Sequence, residues 1–388
     1  MRNELLYKLH ILKKKLSTSI PSIDEEYLKK QAKEHWNSYQ PTSKKAFAIA
    51  EDGSVNKKKY LGFYLFSVCG YSYGDDGNTS YENTVGEIGI SVIKNTERVD
   101  SYFKLLMYLT ELKALLKLAK QTKPELLLID GTLTSKFIIP APKTGWFTKR
   151  EFSGELAELS GELIPLLKEV LYKYDIAAFS EEVEEKVVKL AEDGLKTKPT
   201  RDIIEAFVSK LAYFEYFLLL YDLFYSLDWH PTIVGVAKTS SDTEIFKAAV
   251  PDISIFYRFI NDTGYSKPLT VSFESKAKAI SQEWEFSQVF EKKEKDKAYA
   301  LREVSIQFFY ARYDNAKNIS LLEVYEDPAK QSVNPEEILD YLNYLSVNGY
   351  PFFLIKADRE ARITNKDMEL IESILGLQKE LRGREPLL

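Results

Sequence analysis

The sequence predicts an α/β fold with a mixed sheet at its core, a helical N-terminal segment and a helical insertion, and three observations carry that expectation. Apolar runs mark strands at KAFAIAE, KYLGFYLFSVCGY and VGEIGISVI within residues 44–93. A long helical pattern follows over about Asp100 to Lys120, and a fourth strand, ELLLID, comes directly after it. The first and fourth strands each run into an Asp-Gly pair, Asp52-Gly53 in AFAIAEDGS and Asp130-Gly131 in ELLLIDGTL. The order β-β-β-α-β, with acids at the ends of the first and fourth strands, is the layout of an RNase H-like core.

Taken in order, residues 1–40 read as two helices. Leu5, Leu6, Leu9, Leu12 and Leu16 share one side of the first, the second runs from Asp24 to Trp36, and Ser-Ile-Pro-Ser breaks the chain between them. A larger domain is expected over 41–388. Its first strand gives way to a polar stretch, Ser54 to Lys59, that fits a hairpin, and a loop rich in Gly, Asp, Asn and Ser spans 74–84. Residues 150–228 are helical in pattern and rich in Leu, Tyr and Phe, so they are expected to form an insertion between core strands. Beyond it the pattern predicts strands at TIVGVAKTS and ISIFYRFI, a solvated lysine-rich segment over 291–303, and a hairpin of VSIQFFYARYD with ISLLEVYE. A helix over Pro335 to Ser346, a strand YPFFLIKA and a last helix capped at Thr364 or Asn365 follow.

Composition narrows the function classes. At 388 residues and 45 % hydrophobic content, the chain supplies a core for one large or two modest domains. Met1 to Leu16 is a charged amphipathic pattern unlike a signal peptide, and the longest apolar run, 216–221, falls far short of the roughly 20 residues of a membrane span. A soluble, cytoplasmic protein is expected, because a single cysteine, Cys69, forbids an internal disulfide and a cysteine-held zinc. The three histidines, at 10, 35 and 230, are far apart, so any metal is expected on carboxylates, which favours hard ions such as Mg²⁺ or Mn²⁺. A net charge of -5 argues against nonspecific coating of nucleic acid but leaves room for a local basic groove. Lysine outnumbers arginine 42 to 11, which with the glutamate content leans toward a thermophile.

Either Asp-Gly alone is most simply a turn. Parity makes the pair more than that. Ala46, Ala48, Ala50 and Asp52 share one strand face, and Leu126, Leu128 and Asp130 share one face of another, so adjacent strands aim both acids at one point. Phosphodiester hydrolysis by two cations needs several such carboxylates. A third is expected from the long helix, where Glu111 has Met107, Tyr108, Ala114 and Leu115 as helical neighbours and no lysine or arginine among them; a metal or a distant cation has to face it. Glu125 is the rival, although it points to the opposite strand face from Asp130 unless a bulge turns it. Asp358 ends the strand YPFFLIKA, where an acid serves as a fourth ligand or, equally, as a helix cap or partner of Arg359 or Arg362.

Five blocks in order make the chain resemble the NurA nucleases of archaeal DNA end resection over nearly its whole length. They are EDGS at Asp52, LLLIDGTL at Asp130, VGVAKTS at Lys238, FYRF at Arg258 and GYPFFLIKAD ending at Asp358. The resemblance implies metal-dependent cleavage of single- and double-stranded DNA, as a 5′-to-3′ exonuclease and single-strand endonuclease. It also implies a ring-shaped homodimer and a hexameric ATPase partner, HerA, in double-strand break repair. Two Mn²⁺ or Mg²⁺ ions are then expected on Asp52, Asp130, Glu111 or Glu125, and Asp358. Lys238 is expected at the scissile phosphate, with Tyr257, Arg258 and the lysines at 57–59 along the DNA path. Two positions depart from the family pattern: many relatives have histidine where Asp358 stands and an aliphatic residue where Glu51 stands. A carboxylate for histidine alters metal preference more plausibly than it removes the site. Glu51, on the opposite strand face from Asp52, reads as a surface or supporting residue. The apolar helices at 1–17 and 203–228 read as packing or dimer contacts. The alternative, from a different class, is a catalytically silent relative acting as a DNA clamp or adaptor for the ATPase.

Overall fold

The computed structural model describes residues 25–92, 99–138, 161–195, 198–273, 292–330 and 332–379, with isolated positions 5 and 8. The helix expected over 1–17 and the first residues of the insertion fall almost entirely outside these. α1 (Glu25–Glu34) leads into β1 (Trp36–Ser38), an edge of the main sheet. Three consecutive antiparallel strands follow, β2 (Ala48–Lys59), β3 (Tyr64–Asp75) and β4 (Ser80–Ser91). Then come α2 (Val99–Thr122), β5 (Leu126–Asp130) and the short α3 (Leu133–Phe137). The insertion contains α4 (Ile164–Val170), α5 (Glu181–Leu195) and α6 (Arg201–Tyr225).

The chain re-enters the sheet as β6 (Thr232–Ala237), forms α7 (Asp252–Phe259), and adds β7 (Gly264–Ser266) and β8 (Leu269–Ser272). After α8 (Lys295–Arg302) comes the expected hairpin of β9 (Ser305–Arg312) and β10 (Ser320–Tyr325). α9 (Pro335–Leu345), the small ladder of β11 (Ser346–Val347) and β12 (Tyr350–Pro351), α10 (Phe352–Ala361) and α11 (Asn365–Ile374) follow. Thr364 caps α11 by a reciprocal bond with Asp367, as the sequence suggests.

The sheet has ten strands in the order β1-β7-β9-β10-β6-β5-β2-β3-β4, with β8 beside β9. β2, β5 and β6 are parallel neighbours at its centre, and the other pairings are antiparallel. Central strands read as unbroken apolar runs, LLLI and IVGVA, because helices cover both faces. Ile49, Phe66, Leu127 and Ile129 pack toward α2 and the insertion helices. Ala48, Ala50, Leu126, Leu128, Val234 and Val236 pack toward α9 and α10. This is the mixed α/β architecture expected, consistent with an RNase H-like core.

Three expectations give way. Asp52 does not end its strand: β2 continues through Gly53 to Lys59, paired with β3 throughout. The polar residues 54–59 mark a half-solvated ribbon rather than a turn, since an antiparallel pair tolerates one wet face. ISIFYRFI is helix α7, with Asp252, Ile255 and Phe256 buried at helical spacing. A short apolar run cannot by itself separate strand from buried helix, and the missed signal was Pro251-Asp252 at its start. The Asp252 carboxylate accepts from the Ile245 and Phe246 N–H groups at 2.8 and 3.2 Å. YPFFLIKA is strand only at Tyr350–Pro351; Leu354, Ala357 and Ala361 then form the buried stripe of α10. Arg258 and Asp358 therefore sit on helices.

The two Asp-Gly pairs owe their glycines to different constraints. Gly131 has φ +83°, so it makes the turn out of β5. Gly53 faces Gly70 in register across β2 and β3, and together they form a notch for α2. A Cβ on Gly53 would lie 2.5 Å from the Glu111 side chain, and one on Gly70 would overlap the Thr110 carbonyl. Gly70→Ala is expected to cost about 1–3 kcal/mol of stability or more through overpacking. Gly62→Ala, which meets nothing within 4 Å, should stay within about 0.5 kcal/mol of wild type. Urea unfolding of the two variants checks the ranking.

Candidate active site

Asp52 and Asp130 come together because β2 and β5 are parallel neighbours with Glu51 opposite Ile129, which brings the next pair, Asp52 and Asp130, level. Neighbouring strands lie about 4.8 Å apart, and by parity both carboxylates leave the face that carries Ala48, Ala50, Leu126 and Leu128. Burial, then the charges of Asp130 and Glu111, push the Asp52 carboxyl up to about 7. The Gly53 N–H donates to its Oδ1 at 2.7 Å and opposes that rise. The Tyr350 hydroxyl donates to Asp130 Oδ1 at 2.8 Å. Burial and the Asp130 charge hold that phenol well above its usual value, so it remains a donor. Lys238 Nζ stands 4.0 Å from Asp130 Oδ1 and 4.1 Å from the centre of the Tyr350 ring.

Behind the aspartates, on the α2 side of the sheet, lies a buried cluster that sequence reasoning missed. Lys136 of α3 is 4 % exposed, bonds the Glu111 carboxylate, and stands 3.3 Å from Glu51 Oε1. Its ammonium also lies 4.3 Å from the centre of the Tyr108 ring. Burial alone would depress this lysine, but Glu111 and Glu51 outweigh it and hold the ammonium well above its usual range. Burial raises both glutamates despite Lys136, Glu51 the more strongly, with Glu111, Asp52 and Asp130 adding to it. Glu51 is wholly buried and neither of its oxygens has a hydrogen-bond partner among the described residues. Lys136 thus stays charged between two carboxyl groups that burial raises and its own charge lowers. Glu51 is thus an interior residue and not a surface one.

α3 holds Lys136 in place despite its length. Thr132 starts it by accepting from the Ser135 N–H at 3.2 Å. Thr134 donates its N–H and hydroxyl to the two oxygens of Glu323 on β10, at 2.7 and 2.8 Å. The Tyr216 hydroxyl of α6 donates to the Lys136 carbonyl at 2.5 Å. The available signal was a lone lysine inside the apolar and hydroxyl stretch TLTSKFII, six residues after Asp130.

The remaining expected residues are dispersed. Glu125 is exposed at the start of β5, five residues and about 16 Å of strand from Asp130. Asp358 pairs with Arg362 at 2.8 Å on α10, which packs over β2 and β3. Arg258 is exposed and pairs with Glu25 of α1 at 2.6 Å. Lys57 and Lys58 pair with Asp100 and Glu372. Tyr257 and Lys238 share a cleft of about 640 Å³ next to Asp130. The residues 203–228 expected at a contact surface form α6, whose aromatic side chains are mostly buried against α2 and the other insertion helices.

Among the described residues, no three acidic, histidine or cysteine side chains converge as a ready metal cage. The donor set nevertheless suits Mg²⁺ or Mn²⁺, which take one or two carboxylates and complete their shells with water and phosphate oxygens. Burial and then the Asp130 and Glu111 charges raise the Asp52 carboxyl, and a cation there would offset those two charges. No described helix is long and apolar enough to cross a membrane.

A family model described as NurA domain matches residues 48–363. A relative from Methanocaldococcus jannaschii, named a probable DNA double-strand break repair nuclease NurA, is 27 % identical over 90 % of this chain and 83 % of its own length. The DNA double-strand break repair nuclease NurA of Sulfurisphaera tokodaii is 24 % identical over 97 % of this chain and 96 % of its own. A crystal structure of NurA bound to dAMP and manganese superposes with a TM-score of 0.68 at 16 % identity, covering 97 % of this chain and 98 % of that one.

Lys136→Met leaves two buried carboxyl groups without their cation and is expected to destabilise the fold by about 3–5 kcal/mol; denaturant unfolding measures it. A pH effect follows from Asp52. Its carboxyl is raised from 3.8 to about 7 in the folded chain, so its contribution to stability is fully present below about pH 4 and is lost as pH rises through about 7. In EDTA, Asp52→Asn should therefore melt higher than wild type at pH 8 and no higher at pH 4. Thermal melts at the two pH values decide it.

Proposed function

Because the chain belongs to the NurA domain family, we propose that it is a metal-dependent DNA nuclease that processes DNA ends in double-strand break repair. The observation that carries this reading is the register-matched pair Asp52 and Asp130 on one sheet face, with Lys238 beside it. Mn²⁺ or Mg²⁺ held by the two carboxylates would supply activation of a water and compensation of phosphate charge. A cation held there would favour the ionised form of Asp52, so its binding would strengthen toward pH 8. Asp130 is kept in orientation by the Tyr350 hydroxyl. Lys238 approaches the phosphate from the Asp130 side and offsets charge on its oxygens as the phosphodiester is cleaved.

Glu111 and Asp358 are the further ligands of this reading, each now facing a basic partner, Lys136 and Arg362. Glu111 could help hold a second ion only if it were freed from Lys136. Cleavage as a 5′-to-3′ exonuclease and single-strand endonuclease, a homodimer, a hexameric HerA-type ATPase partner and work in the cytoplasm belong to the same proposal and rest on the likeness to NurA nucleases. A catalytically silent DNA clamp is the second reading, favoured by one observation, the absence of a third free acid at the aspartate pair among the described residues.

Asp52→Asn and Asp130→Asn should each lower Mn²⁺-dependent cleavage of an end-labelled oligonucleotide by at least about a hundredfold while leaving the fold intact by circular dichroism. Glu111→Gln should lose far more activity than Glu125→Gln. A wild-type protein that cleaves no DNA in Mn²⁺ would favour the clamp.

A further inference from the structure

We propose that the chain holds one divalent ion, at Asp52 and Asp130, and that the Lys136 ammonium stands where a second ion would otherwise be needed, as a fixed cation supplied by the chain itself. This rests on the nuclease reading and adds to it the number of ions the site takes up. Two-ion hydrolysis of a phosphodiester uses cations about 3.5–4 Å apart, clamped between shared carboxylates. Here the sheet divides the four central acids. Asp52 and Asp130 leave one face, whereas Glu51 and Glu111 lie on the other, on either side of Lys136. Because Glu51 and Asp52 are consecutive in β2, the ammonium against Glu51 stands behind the acid pair, across the thickness of one strand.

Both oxygens of Glu111 are already covered. Oε2 bonds the Lys136 ammonium, and Oε1 lies against the backbone of β2, 2.5 Å from where a Cβ on Gly53 would stand. The Glu111 side chain is 2 % exposed, which leaves no room for the waters that Mg²⁺ and similar small ions keep in their shells. Lys136 is also held where it is. Its ammonium lies 4.3 Å from the centre of the Tyr108 ring, and its carbonyl accepts from the Tyr216 hydroxyl at 2.5 Å. Two residues earlier, Thr134 ties α3 to Glu323. Swinging the ammonium out would leave Glu51 and Glu111 buried without their cation, a strongly destabilising state. A divalent ion entering beside it would meet a like charge in surroundings that screen poorly. The interior acids are therefore closed to a second ion, and Glu111 acts as a positioning residue through Lys136.

The test counts the Mn²⁺ bound by the full chain without DNA, from the electron paramagnetic resonance of the free ion during titration. Wild type should bind one ion per chain, and Asp52→Asn or Asp130→Asn should lose it. Glu111→Gln should still bind one. The double variant Glu51→Gln with Lys136→Gln removes the ammonium together with one of its acids and leaves Glu111 without a cation. It should bind two ions, and Glu111→Gln added to it should return the count to one. Two ions on wild type would overturn the proposal, and a fall to one in Glu111→Gln would place the second on that glutamate. A folded double variant that binds no more than one ion would overturn it as well. Should the double variant not fold, the counts for wild type and Glu111→Gln decide alone. Two ions with Mn²⁺-dependent cleavage intact would leave the nuclease reading standing, whereas a wild type that binds no Mn²⁺ would overturn both.

Discussion

Four carboxylates, Glu51, Asp52, Glu111 and Asp130, crowd the centre of this sheet, and the Lys136 ammonium is the buried cation set among them. An uncompensated buried charge is strongly destabilising, and a carboxyl group in such a place neutralises instead. Lys136 answers two of the four on the α2 side of the sheet, so the Asp52–Asp130 pair on the other face is left to be answered from outside. The division follows from strand parity, since Glu51 and Asp52 are consecutive and leave opposite faces. The interior ion pair fixes α2 and α3 against β2. The aspartate pair is half open to solvent, which is why the proposed cation and phosphate are placed there.

Much of the scaffold serves that division. The glycines at 53 and 70 let α2 approach closely enough for Glu111 to reach Lys136. Glu323 and Tyr216 hold α3 from two different elements, so Lys136 does not depend on a five-residue helix for its position. Tyr350 joins Asp130 to the cleft that contains Tyr257, bonding the carboxylate with its hydroxyl and walling the cleft with its ring.

The sequence was most legible where local pattern and tertiary role agree. The β-β-β-α-β order, the hairpin of β9 and β10, and the Thr364 cap all follow from apolar alternation and turn chemistry. Strand parity also placed Asp52 and Asp130 on one face. Legibility failed where short apolar runs had two structural solutions: ISIFYRFI and YPFFLIKA are rich in strand-favouring residues but bury i, i+3 and i+4 positions. It failed again at Lys136, whose importance lies in partners 85 and 25 residues upstream in the chain. No local spacing reports such a contact. Glu111 was expected to face a cation from elsewhere, and it does, but the cation is a lysine of this chain.

The central claim is that Lys136 neutralises the interior acids and leaves Asp52 and Asp130 as the cation site. Anomalous scattering from crystals soaked in Mn²⁺ tests it most directly. The account predicts a manganese peak between the Asp52 and Asp130 carboxylates, with Lys136 still against Glu111 and Glu51. A peak elsewhere, or none at that pair while the crystal binds manganese at other acids, would contradict it.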